Sequence, residues 1–232
     1  METLWQDMKY AARMLLKSPG FTLVAVLTLA LGIGANAAVF TLVNEALLRP
    51  LPGIGHPERL VDIGGTQEGS DFDNMSYPNY RDYRDRNRTL TGMAGFIFEA
   101  RAVSLTEGGS AQRAYATIVT GNYFSVLEVK PAAGRFFDET EAAAGGTDPL
   151  VVLSHSFWQR HYGGDADVVG GELRINGQRA RVVGVAPEHF HGTTLLAPDL
   201  WVPMQQRSLV RSGGSPSQDR RAGCMLAVGR VR

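Results

Sequence analysis

From Ser18 through Asn44 the chain carries no charged side chain, and the run FTLVAVLTLALGIGANAAVFTLV within it is long enough to cross a membrane. A spanning helix needs about 20 mostly apolar residues, because the hydrocarbon core is roughly 30 Å thick and holds no water to satisfy backbone polar groups. Phe21 to Val43 meets that requirement. The helical pattern continues through Ala46, Leu47 and Leu48 until Arg49, Pro50 and Pro52 stop it. Counted from Phe21 to Leu48 at about 1.5 Å per residue, the helix would be roughly 42 Å long, with its last turns outside the bilayer. The span is therefore placed at 18–48.

Ahead of it, Leu4, Trp5, Met8, Ala11, Ala12, Leu15 and Leu16 recur at helical spacing, while Lys9, Arg13 and Lys17 fall four apart on another face. This predicts an amphipathic helix over 1–17 lying in the membrane interface, with Trp5 at headgroup depth and the basic side chains toward anionic lipid. A cleaved secretory signal is the alternative, with Ala35-Asn36-Ala37 as its small-residue cleavage site. Signal n-regions are short, however, and here a structured stretch precedes the apolar run. Lys9, Arg13 and Lys17 stand close before the span, and Arg49 and Arg59 follow at longer range. The bias puts the N-terminus in the cytoplasm and residues 49–232 outside it.

The 232 residues, less the membrane part, suffice for a real core, and a formal net charge of zero without a long basic block argues against nucleic acid as a partner. One cysteine, Cys224, excludes an internal disulfide, so core burial must stabilise the domain. Within the apolar run CMLAV it reads as a small core residue and not as a nucleophile.

After the Pro50 to Pro57 break, short strands and helices alternate. Leu60 to Gly64 reads as a strand. Ser76 caps a helix YPNYRDYRDRN whose Tyr77, Tyr80 and Tyr83 are expected to form one core face. A strand over Met93 to Leu105, a turn at Glu107-Gly108-Gly109 and a return over Gln112 to Val119 read as a hairpin. Asn122 to Leu127 is a short helix, and Asp138 to Gly146 an acidic loop whose Asp138, Glu139 and Glu141 lack the ligand spacing of a calcium site. Leu150 to Leu153 is a buried strand, and Ser154 caps a helix HSFWQRHYG. GELRINGQRARVVGVAP is the clearest hairpin, because Asn176-Gly177 supplies the two positive-φ residues of a tight turn. Leu200 to Pro203 and the segment after Gly223 complete the strands, and Phe136, Trp158, Val183, Val185 and Trp201 are the expected core. The fold class is α+β.

No phosphate loop GxxxxGK[ST], GxSxG, HExxH or paired-cysteine spacing occurs, so the expectation is no enzyme, no cofactor and no metal. His189 and His191, with His155, His161 and Asp199 elsewhere, would need folding to gather further ligands and read more simply as polar residues.

The opening MKYAARMLLKSPGFTLVAVLTLALGIGANAAVFTLVNEALLRPLP, the helix SYPNYRDYRD, then TGNYFSVLEVKPAAGRFF, VLSHSFWQRHYGGD, VVGGELRINGQRARVVGVAP and DLWVP resemble, in order and spacing, the MacB-like bacterial transporter permeases. More narrowly they are similar to the acidobacterial duplicated orphan permeases of the FtsX-like superfamily, which lack a fused ATPase. The resemblance implies a permease protomer of an ABC-type transporter or mechanotransmission complex, its first membrane helix feeding a periplasmic core domain. Further membrane helices would follow Arg232, so the chain reads as an N-terminal piece, single-pass in the bacterial inner membrane. The implied partners are the membrane, a separate cytoplasmic ATPase subunit and a second permease protomer or pseudo-repeat. Trp5, Lys9, Arg13 and Lys17 are then the candidate membrane-interface and coupling residues, and Asn176 and Gly177 the structural turn. A membrane-anchored or secreted binding module without transport is the alternative; an exported hydrolase lacks any motif.

Overall fold

Pro19 divides the N-terminal segment into two helices, α1 (Glu2–Lys17) and α2 (Pro19–Val43). Proline has no N–H for the carbonyl four residues back, which is that of Leu15. That carbonyl instead accepts the Thr22 hydroxyl at 2.6 Å and the Ser18 N–H at 3.3 Å. Inside α2, Thr28 and Thr41 return their hydroxyls to the carbonyls of Val24 and Ala37, so these two donors are satisfied within the helix. Pro19–Thr41 is apolar and long enough to cross a membrane. The structure, a computed structural model, describes residues 2–43, 52–67, 70–107, 110–143, 149–193, 197–211, 219–220 and 223–232. The expected continuation of the span through Leu48 lies outside them.

The chain divides into two compact units, Met1–Arg49 and Pro50–Arg232. The second begins with strands β1 (Leu60–Ile63), β2 (Gly65–Gln67) and β3 (Ser70–Asp73), helix α3 (Tyr77–Arg86), and strands β4 (Leu90–Phe96), β5 (Arg101–Glu107) and β6 (Ser110–Val119). Then come α4 (Tyr123–Val126), β7 (Ala133–Gly134), α5 (Glu139–Ala143), β8 (Leu150–Leu153), α6 (His155–Tyr162), β9 (Glu172–Ile175), β10 (Gln178–Val185), β11 (Leu200–Pro203) and β12 (Leu226–Val231). The class is α+β, as the sequence indicated.

Strands β5, β6, β11, β8, β10 and β9 pair in that order, and β9 pairs back to β5, closing a small barrel. Alternate residues fill it: Val103 and Leu105, Ala114 and Ala116, Val151 and Leu153, Leu173 and Ile175, Leu200 and Val202 all belong to one buried cluster. A register shift between Val182 and Gly184 keeps both Val182 and Val185 in that cluster despite their odd spacing. Residues of the opposite parity, Val119, Val152, Val183 and Trp201, join Phe124, Phe190 and Val228 in a second core outside the barrel. From β6 the sheet continues through β4 and β12 to β1, its open edge.

Four expectations need correction. The strand over Met93 to Leu105 is two strands interrupted at residues 97–100: β4 runs along β12 and meets β6 only at Phe96–Val119, whereas β5 pairs with β6 over its whole length. Of the tyrosine face, Tyr80 is fully buried and Tyr83 is 59% exposed. A three-residue step turns a helix by about 300°, so the stripe drifts off the sheet within two steps. Phe136 and Trp158 are only partly buried against the two cores, unlike Val183, Val185 and Trp201. The acidic segment at Asp138 is not a loop at its start. Asp138 accepts the Glu141 N–H at 2.8 Å, Glu141 accepts the Asp138 N–H at 3.3 Å, and this capping box opens α5.

Candidate functional site at the chain entry and exit

The chain enters the domain through β1 and reaches its last strand in β12, and these two lie side by side. They pair antiparallel with Leu60 opposite Arg230 and Ile63 opposite Ala227. Both therefore open at the same end, where Arg230, 5% exposed, fastens them. Its Nη2 donates to the Gly55 carbonyl at 2.6 Å, its Nη1 to the His56 carbonyl at 3.1 Å and its Nε to the Val126 carbonyl at 2.6 Å. Glu128 supplies the counter-charge at 3.5 Å. A buried guanidinium is costly unless its donors are used, and here three carbonyls and a carboxylate use them.

The backbone around this clamp is bent to serve it. His56 and Glu128 take φ of 46° and 54°, conformations that cost non-glycine residues on the order of 1 kcal/mol or more. A Cβ on Gly55 would lie 2.7 Å from Glu128 Cβ, so glycine lets the entering segment approach the Glu128 turn, whose Leu127 carbonyl accepts the Gly55 N–H. Entry segment, exit strand and the end of α4 thus meet at one side chain. Sequence reasoning missed it, although a lone arginine inside the apolar run LAVGRV was the available signal.

On α1, Trp5 is 59% exposed, and Arg13 and Lys17 are exposed one helical turn apart. Lys9 continues their spacing along the helix, with its side chain outside those described, as are those of Leu4, Met8, Ala11 and Ala12. Asn176 and Gly177 have φ of 49° and 81° between Ile175 and Gln178, which pair across the turn. Asn176 does more than turn: its Oδ1 accepts the Ser104 N–H at 2.9 Å and its Nδ2 donates to the Leu209 carbonyl at 2.8 Å, tying the barrel seam to the segment after β11.

The histidines are dispersed. His189 and His191 are exposed, His155 lies edge-on to Trp158, and Asp199 accepts from Arg160 at 2.8 Å and from the Tyr115 N–H at 2.9 Å. Among the described residues no three His, Cys, Asp or Glu side chains gather as metal ligands. Cys224 is half-buried beside the barrel core. Burial pushes the Tyr123 hydroxyl up to about 12, so it stays protonated and bonds Thr193 at 3.0 Å.

Solved structures share this fold. The periplasmic region of MacB from Actinobacillus actinomycetemcomitans is 17% identical, with a TM-score of 0.55 and 79% of each chain covered. The extracellular domain of the noncanonic ABC-type transporter YknZ from Gram-positive bacteria is 11% identical, with a TM-score of 0.52, over 75% of this chain and 83% of that one. A domain assigned to a permease protein of Porphyromonas gingivalis is 17% identical, with a TM-score of 0.53 and 77% of each chain covered. No curated protein matches the sequence. Residues 22–228, from the second turn of the apolar helix into the last strand, match the model of the MacB-like periplasmic core domain, and the chain belongs to that family.

Proposed function

We propose that the chain is a permease subunit of an ABC-type transporter or mechanotransmission complex, in which the domain beyond the span moves with its membrane helices to drive export or release of a substrate. It is not an enzyme in this reading. ATP hydrolysis belongs to a separate cytoplasmic subunit, and a second permease protomer or pseudo-repeat completes the membrane assembly. The N-terminus is cytoplasmic, the domain periplasmic and the membrane the bacterial inner membrane.

The observation that carries the proposal is the fastening at Arg230. Load that separates Leu60 from the end of β12 would unzip an antiparallel pair from its open end, where ladder bonds fail one at a time. A three-carbonyl clamp at that end makes displacement of either segment move the domain as a body. Family membership and the membrane-length helix support the same reading.

Arg13 and Lys17 are the proposed coupling residues, on an exposed helix face ahead of the span. In the full-length permease, Arg13→Glu with Lys17→Glu is expected to weaken co-purification with the ATPase and its stimulated hydrolysis. Because the same changes weaken the positive-inside signal, topology is checked first by labelling a cysteine introduced in the domain, on a Cys224→Ser background. Kept topology with unchanged co-purification and hydrolysis would leave α1 only a membrane float.

A further inference from the structure

We infer that the groove between α3 and the open edge of the sheet is a binding site for an amphipathic anion, a small molecule with a phosphate or carboxylate head and a short apolar body. It stands apart from the permease proposal, since binding is read without transport.

The floor is apolar and bare. Val61, Gly229 and Met93 are consecutive partners across β1, β12 and β4, so they share one sheet face. That is the face on which α3 buries Tyr80 against Met93, whose carbonyl accepts the Tyr80 hydroxyl at 2.9 Å. Toward the edge, α3 no longer covers it. A cavity of about 570 Å³ remains, lined at its base by Ile63, Leu90 and Met93, within the roughly 300–1,000 Å³ usual for small-molecule sites. Gly229 makes room for that base, because a Cβ there would come within 2.5 Å of Leu90 and 2.7 Å of Ile63. Val61, 41% exposed on the same face, prolongs the apolar strip to the edge.

The rim is cationic. Tyr83, Arg86 and Arg88 line it, and neither arginine makes a side-chain hydrogen bond or ion pair among the described residues. Asp82 also lines the groove, but its carboxylate is already committed, accepting from Arg220 at 2.7 Å. Two backbone donors there are committed as well: Asn87 Oδ1 takes the N–H groups of Thr89 and Leu90. The C-terminal end of α3 borders the groove and its dipole opposes an anion, so the two guanidinium groups must supply the attraction. Neutralising both is therefore the decisive change.

The test uses the full chain in nanodiscs of zwitterionic lipid, titrated calorimetrically with octyl phosphate. Arg86→Gln with Arg88→Gln in identical discs makes bilayer partitioning cancel. Saturable binding in the wild type, weakened by roughly tenfold or more in the double variant, is expected. A second variant, Val61→Glu, puts a carboxylate on the same sheet face, across Gly229 from Met93, and is expected to weaken octyl phosphate in the same sense. Octanol, octylammonium and inorganic phosphate are expected to show no comparable saturable phase. The inference is overturned by equal isotherms for wild type and both variants, or by octanol or octylammonium binding as tightly as octyl phosphate. Inorganic phosphate binding as tightly would equally overturn it, by reducing the groove to a bare anion site. Failure on any of these arms leaves the permease proposal untouched.

Discussion

Leu60 at the start of β1 faces Arg230 near the end of β12, so the first and last strands of the domain are hydrogen-bonded neighbours that open at the same end. The Arg230 side chain then reaches the carbonyls of Gly55 and His56 in the segment leading into β1. One side chain thus ties the segment leading into β1 to the strand β12.

Arg230→Met keeps the apolar stem but strands three carbonyls and a carboxylate. It is expected to cost about 3 kcal/mol, whereas Glu128→Gln, at a half-exposed position 3.5 Å away, should cost under about 1 kcal/mol. Urea unfolding of the two variants checks the order. Equal midpoints for Arg230→Met and wild type would show that the clamp contributes nothing.

Gly177→Val places a β-branched residue at φ 81° with nothing within 4 Å of its Cβ, so its cost is the backbone term alone, about 1–2 kcal/mol. Gly184→Ala should cost more despite adding less, because its methyl would collide with the carbonyls of Arg135 and Ala133 in the β7 segment. Thermal melts ranking Gly177→Val as the worse variant would contradict the β7–β10 packing.

At α5, the Arg135 guanidinium donates to both Glu141 oxygens at 2.6 Å and holds that carboxyl below its ordinary 4.5. The Glu141 N–H lowers Asp138 below 3.8. A depressed carboxylate stabilises the fold fully above its unfolded value and loses that contribution as pH falls through the folded one. Protection of the α5 amides should therefore be constant down to about pH 4.5 and decline below it. Glu141→Gln should flatten that decline when amide exchange is followed across this range.

Thr22→Val removes the hydroxyl that serves the carbonyl orphaned by Pro19, while Thr22→Ser retains it. Amide exchange between Ser18 and Leu23 in membrane-embedded protein is expected to quicken by roughly tenfold in the valine variant only, the effect of losing about one hydrogen bond. Identical protection in both variants would show that the Ser18 N–H or water satisfies the Leu15 carbonyl without the hydroxyl.

The N-terminus is expected to be retained. N-terminal sequencing of membrane-extracted protein should begin at the start of α1, and a mature chain beginning at Ala38 or Val39 would end the anchor assignment.

Features governed by neighbours in sequence could be read directly. The uncharged run that became α2, Ser76 and Ser154 as helix caps, and Asn176-Gly177 with its two positive φ angles each depend on a few consecutive residues. The Asp138–Glu141 capping box was equally local but was overlooked among the acidic residues. Family resemblance was legible because it lies in ordered motifs.

Pairing across distance was not legible. Nothing in the run from Met93 to Leu105 states that its first half runs along β12 while its second stays on β6, or that β9 returns to β5 and closes a barrel. Arg230 acquires its role only when β12 lies beside β1 and carries the guanidinium to carbonyls more than 170 positions earlier. Periodicity tells which face of a strand is apolar, and local chemistry tells where the chain turns. Which strands meet, and which buried charge finds which carbonyl, is decided by the packing of the whole domain, because those interactions exist only once distant segments have been brought together.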